Sequence, residues 1–187
     1  MTQPENYRGY FLIAPPKISD KRFANTVIFI VNHSEAGAWG VVTNKPFLNL
    51  TINTVLERLG VECRIGGVIH AGGPVNNQNV HILHSPEISS SETTSITDKI
   101  SISNDYGFLS EIAMGTTPEK HRMFLGACSW APGQLEGEMK GLPPWSPEHS
   151  WLYAPADTQI LFDLDGIDQW QAAVELSAKC AVSEWMS

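Results

Sequence analysis

The sequence predicts an α+β protein of a single domain, and three observations carry that reading. Short apolar runs rich in β-branched and aromatic residues fill the first half, YFLIA at 10–14 and TVIFIVN at 26–32 among them. Helical spacing of apolar residues takes over in separate stretches, the longest of them at the C-terminal end. The 187 residues hold no internal repeat and no linker that would divide them into two domains.

Each element follows from local chemistry. TVIFIVN is apolar at successive positions, so both faces of that strand are expected to be covered. After a turn at 34–37, AWGVVTN at 38–44 is its hairpin partner. A helix comes next: Val55, Leu56 and Leu59 share a face, Thr54 and Glu57 read as a capping box, and Gly60 is the stop. IGGVIHA at 65–71 and NVHILH at 79–84 read as strands around a Gly72-Gly73-Pro74 turn, and the Ser- and Thr-rich segment 85–97 as a surface loop. A short strand near 99–103 leads to Asn104 or Asp105, either of which can cap a helix carrying Phe108, Leu109, Ile112 and Ala113. MFLGACSW at 123–130 is a strand, and beyond Pro132 and Gly133 a short helix sets Leu135 and Met139 on one side and pairs Glu136 with Lys140. A Pro-rich passage, GLPPWSPEHS, separates that helix from ILFD at 160–163, read as a strand. The final helix opens near Asp168 and buries Trp170, Val174 and Ala178.

Composition narrows the function. Hydrophobic residues at 42% against 17% charged argue for a compact body with little disordered tail. Twelve Lys and Arg face 20 Asp and Glu, a net charge of -8, and the basic residues are scattered. Duplex DNA demands a concentrated positive face for its phosphates, so direct DNA binding is not expected. Cys63, Cys128 and Cys180 lie far apart without a CxxC pair, which suggests neither zinc nor a disulfide framework and fits a reducing cytoplasm. The early apolar run stops at Pro15 and Pro16, and no run reaches the roughly 20 apolar residues of a membrane span.

The segment GACSWAPGQLEGE, 126–138, joins a strand to a helix through one Pro-Gly corner, a place where α/β sites gather. Cys128 has two readings there: a nucleophile near a helix N-terminus, or a packed cysteine on the face of Phe124, Gly126 and Trp130. Glu136 and Glu138 are two apart on a helix and diverge, so they are no acid-base pair, and Glu136 alone is a candidate ligand or acid. His81 and His84, three apart on a strand, point to opposite faces and cannot chelate one metal together. The glycine groups match no nucleotide or cofactor signature, and Gly72 and Gly73 fit a tight turn that needs positive φ. Asn44 and Lys45 could end a strand with an amide and an ammonium offered to an anion.

Taken in order, GAWGVVTNKP, GGPV and LGACSWAPGQLEGE, with the earlier FLIAPP and TVIFI and the later WLYAPAD and ILFD, resemble the YqgE/AlgH family of uncharacterised bacterial proteins. The resemblance runs from about residue 10 to 170, and where the family usually has Glu-His before the first glycine block this chain has Asn32 and His33. The stretch 141–150 is longer than the family pattern. The resemblance implies an α+β fold whose mixed, mostly antiparallel sheet forms a barrel-like, bifurcated core flanked by helices. It implies no agreed activity and no catalytic set. Some members carry the label of transcriptional regulators of alginate production.

The expectation is therefore a cytoplasmic, non-enzymatic binding or regulatory protein without a cofactor, acting through a small ligand or a protein partner. Its ligand-binding candidates are His33, Asn44, Lys45, Gly72, Gly73, Trp130, Gln134 and Glu136. The alternative is a small-molecule enzyme using Cys128 or Glu136 at the strand-to-helix crevice.

Overall fold

The structure, a computed structural model, describes residues 3–18, 20–145 and 150–186. In chain order its elements are β1 (Tyr10–Ile13), β2 (Val27–Ser34), β3 (Gly37–Val42), β4 (Pro46–Thr51), α1 (Ile52–Arg58), β5 (Val68–Ala71), β6 (Val75–His84) and β7 (Thr94–Ser95). They continue with β8 (Ser101–Ser103), α2 (Tyr106–Ala113), β9 (His121–Trp130), α3 (Gln134–Lys140), β10 (Leu152–Pro155), α4 (Thr158–Asp163) and α5 (Gly166–Met186). The class is α+β, as the sequence predicts. Two compact units are distinguished, one made of residues up to Asn44 and from Cys128 on, the other of Lys45–Ala127.

In the first unit the strand order is β10, β1, β2, β3 and the last residues of β9, all antiparallel. The expected hairpin of β2 with β3 is present, with a register irregularity between Ile30 and Asn32. Residues 27–31 are buried without alternation, as two covered faces require. Helix α3 presses Leu135 and Met139, both almost wholly buried, against Leu12, Ile28, Ile30 and Trp130. Such burial stabilises by roughly 1.5–3 kcal/mol per side chain.

Three expectations for this unit are corrected. ILFD is helical, because Asp157 accepts from the Ile160 N–H and caps α4. Helix α5 begins at Gly166 and buries Gln169 and Ala173, while Trp170 and Val174 are half-buried and Ala178 is exposed. Its face is turned by one residue because Gln169, though polar, is fully satisfied. Its amide donates to the carbonyls of Ile160, Leu161 and Leu164, and its oxygen accepts from the Thr43 hydroxyl. Glu136 reaches His33 instead of Lys140. Part of the Pro-rich passage, residues 146–149, lies outside the described residues.

In the second unit β9 lies between β5, its parallel neighbour, and β6, its antiparallel one. The two strands expected around Gly72-Gly73-Pro74 are thus separated by β9. Strand β4, which the sequence reading missed, pairs with β5, and β7 lies inside the segment read as a loop and pairs with β8. Strand β9 also carries the implied bifurcation: residues 123–125 pair with β5, and residues 128–130 with β3. Gly72 is needed for close approach, since a Cβ there would meet the Gly126 carbonyl oxygen at 2.2 Å; of the Gly72-Gly73 pair only Gly73 has a positive φ, at 150°. The cap of α1 is Thr51, three residues earlier than expected, its hydroxyl accepting from Thr54 N–H. Asp105 caps α2 as expected and sends Phe108, Leu109, Ile112 and Ala113 into the core. His81 and His84 are both buried, and the His84 ring bonds the Ser85 carbonyl and the Ser103 hydroxyl. Among the described residues no group of three His, Cys, Asp or Glu is placed to hold a metal ion, and no helix is long and apolar enough to cross a membrane.

Candidate functional site

Four of the eight candidates, His33, Trp130, Gln134 and Glu136, gather in the first unit around the start of α3. His33 stands near the end of β2, where alternation exposes Asn32 and Ser34 and turns the imidazole inward, leaving its side chain 3% exposed. The N-terminal segment closes over it. Asn6 donates its amide to the His33 carbonyl at 3.0 Å, and the Tyr7 backbone N–H donates to Nδ1 at 3.1 Å. A nitrogen that accepts cannot carry a proton, so the ring proton sits on Nε2 and is donated to Glu136 Oε1, 3.0 Å away. The contact is a neutral imidazole donating to a carboxylate.

Glu136 is the third residue of α3, where the positive helix end favours a carboxylate. Its side chain is 38% exposed; Oε1 is held by His33, and Oε2 takes no hydrogen bond from any described residue. Gly133 stands at the cap position with φ 75° and no side chain to offer, and the Gln134 side chain accepts from the Ala131 N–H in the turn before the helix. The Tyr7 ring packs on His33 with centroids 5.7 Å apart, and its phenol is pushed up to about 12 by burial, by nearby Tyr153 and by Glu136.

The second carboxylate of the corner, Glu138, was not among the candidates. Its Oε2 accepts from the indoles of Trp130 at 3.1 Å and Trp151 at 2.9 Å, and Oε1 accepts from Gln134 at 2.9 Å. Sequence carried a signal: buried indole N–H groups demand acceptors, and Gln134 with Glu138 is an i, i+4 pair. The partner of Trp151, thirteen residues away, is visible only in the fold.

The other candidates serve differently. Asn44 is 1% exposed and its amide is wholly engaged, accepting from Val27 N–H and donating to the carbonyls of Asn25 and Gly166. It acts as a structural clamp, with both amide protons already donated to backbone carbonyls. Lys45, Gly72 and Gly73 belong to the second unit. Partial burial lowers the Lys45 ammonium, and the Lys45 carbonyl accepts from Ala71 N–H. Cys128 is 6% exposed among Leu12, Trp130 and Leu135, and burial pushes its thiol up to about 12. That favours the packed reading over the nucleophile. Two cavities, of about 240 and 440 Å³, open between β10 and α5, and Tyr153, Cys180 and Glu184 line both.

Comparison with known proteins places this fold. A UPF0301 protein of Thiobacillus denitrificans is 35% identical over 174 residues, covering 91% of this chain and 90% of the relative. A UPF0301 protein of Yersinia pestis is 35% identical over 175 residues, with 90% of each covered. The solution structure of the AlgH protein from Pseudomonas aeruginosa superposes with a TM-score of 0.77 at 35% identity, covering 94% of this chain and 91% of that one. An X-ray structure of a Corynebacterium diphtheriae protein, 24% identical, shares the fold with a TM-score of 0.71 over 92% of this chain and 87% of its own. The profile of the AlgH-like family matches residues 11–179, and the chain belongs to that family.

Proposed function

We propose that this protein is a non-enzymatic binding protein that recognises a cationic group, an ammonium or guanidinium, on a small ligand or protein partner. One observation carries the reading: Glu136 is held by buried His33 through one oxygen, while its second oxygen takes no hydrogen bond from any described residue on a side chain that is 38% exposed. The neighbouring polar side chains support it by being already engaged, since Gln134, Trp130 and Trp151 all converge on Glu138. A catalytic role finds less support. His33 has both ring nitrogens engaged, Nδ1 by the buried Tyr7 N–H and Nε2 by Glu136, so neither is left over to abstract a proton from a substrate. Cys128 is a buried thiol far from the thiolate that nucleophilic chemistry requires.

The regulatory label carried by some relatives fits this reading if control passes through the bound ligand or partner. A net charge of -8 with scattered basic residues disfavours direct contact with DNA. A cytoplasmic location belongs to the same proposal, supported by three cysteines outside any disulfide.

A thermal-shift panel of polyamines, guanidinium compounds, carboxylates and neutral amides tests the proposal. A cation at about 100 times its dissociation constant should stabilise the fold by roughly 2.7 kcal/mol. Stabilisation by the anions alone, or by none of the compounds, would count against it.

A further inference from the structure

The end of α5 carries an apolar face that the rest of the unit does not cover. Val174, Ala178, Ala181 and Trp185 fall at i, i+4, i+7 and i+11, one face of the helix. The first three line the 240 Å³ cavity against Trp151, Leu152 and Tyr153. Trp185, one turn further on, is 88% exposed, with Val182 at 57% and Met186 at 79% beside it. A contiguous apolar group of this size on a monomer marks an interaction surface. The same helix face therefore presents a groove and, next to it, the kind of side chain that fills one.

We propose that the occupant is a second copy of this chain, joined about a two-fold axis that passes between Ala181 and Val182. Counting residues makes the geometry explicit. Trp185 and Ala178 are equidistant from that axis, each about 5 Å along a helix that rises 1.5 Å per residue. An antiparallel pairing of two α5 ends then sets each Trp185 over the partner subunit's Ala178, at the mouth of its groove. The contact is isologous, closes at two copies and leaves no apolar face to propagate. A buried indole N–H needs an acceptor, and the groove offers the Ser177 hydroxyl and the Glu184 carboxylate. The chain already uses this pairing where Glu138 receives the N–H groups of Trp130 and Trp151.

Size sets the expected strength. Two indoles bury about 300–500 Å² of the roughly 1,200–2,000 Å² in a standard interface, so the dimer belongs to the weak, concentration-dependent class. Sedimentation velocity on the full chain, over concentrations on the order of 1 to 500 µM, reads it directly. Wild type should shift from monomer to dimer within that range. Trp185→Ala removes the knob and Ala178→Glu places a charge in the groove; both positions are exposed, so each variant should keep the wild-type melting temperature. Each should weaken association at least about tenfold. A wild-type chain that stays monomeric throughout, a dimer indifferent to both variants, or growth beyond two copies would overturn the proposal.

Discussion

His33 donates from Nε2 to Glu136 Oε1 at 3.0 Å while its Nδ1 accepts the Tyr7 backbone N–H at 3.1 Å. One buried ring thus ties the N-terminal segment to the end of β2 and aims a carboxylate on α3. The direction of both bonds fixes the tautomer, and with it the division of labour: His33 positions and Glu136 presents.

Removing the two partners should therefore have unequal effects on stability. His33→Ala opens a cavity and leaves the Tyr7 N–H without its acceptor, a loss of about 2–4 kcal/mol. Glu136→Gln keeps an oxygen for the His33 proton at a half-exposed position and should change stability by less than about 1 kcal/mol. Urea denaturation of both variants checks this, and similar losses for the two would contradict the assignment.

Glu138 should matter more to the fold than Glu136, despite lying on the same short helix. Glu138→Ala strands two indole N–H groups and the Gln134 amide, a loss of about 2–4 kcal/mol. Its mark in tryptophan fluorescence would be a red shift as Trp130 and Trp151, both now mostly buried, loosen. An unchanged spectrum with unchanged stability would show that the carboxylate holds neither indole.

Cys128 gives a pH dependence with a definite sign. Its folded thiol is pushed up by burial from 9.0 to about 12, so in the folded protein the proton is held more tightly than in the unfolded chain. The stabilisation is complete below about pH 9 and is lost as pH rises through the window from about 9 to 12. At pH 8 a thiol reagent should modify half-buried Cys63 and Cys180 first and reach Cys128 only on unfolding. Equal rates for all three thiols would refute the buried assignment.

Gly72 and Gly133 separate two reasons for glycine. At Gly133, φ is 75° and a Cβ would meet nothing within 4 Å, so Gly133→Ala should cost only about 1–2 kcal/mol, the left-handed penalty. At Gly72 the same Cβ would strike the Gly126 carbonyl oxygen, so Gly72→Ala must displace β9 and should cost about 3 kcal/mol or more. Thermal unfolding of the pair checks the order.

Legibility in the sequence tracked the range of the interaction. The β2–β3 hairpin, the Asp105 cap and the Leu135–Met139 face of α3 rest on contacts within a few residues, and these were readable. The ILFD segment is ambiguous because three apolar residues in a row fit strand or helix, and the deciding bond comes from Asp157 just before them. The insertion of β9 between β5 and β6 depends on pairings some fifty residues apart, which no local pattern encodes. Among site residues, Glu136 and His33 were identifiable as types, but their union spans 103 positions. Asn44 is conspicuous in the sequence as a polar residue at a strand end, and in the fold it is a clamp because three backbone groups claim its amide.

The central claim is that the Glu136 carboxylate recognises a cation, and a calorimetric titration with arginine amide tests it most directly, because that probe carries cationic groups and no carboxylate. Wild type should bind, and Glu136→Gln, which keeps the His33 hydrogen bond while removing the charge, should bind at least about tenfold more weakly, a difference of roughly 1.4 kcal/mol. Equal affinity for the two proteins, or no binding by the wild type to this or any other cation of the thermal-shift panel, would contradict the account.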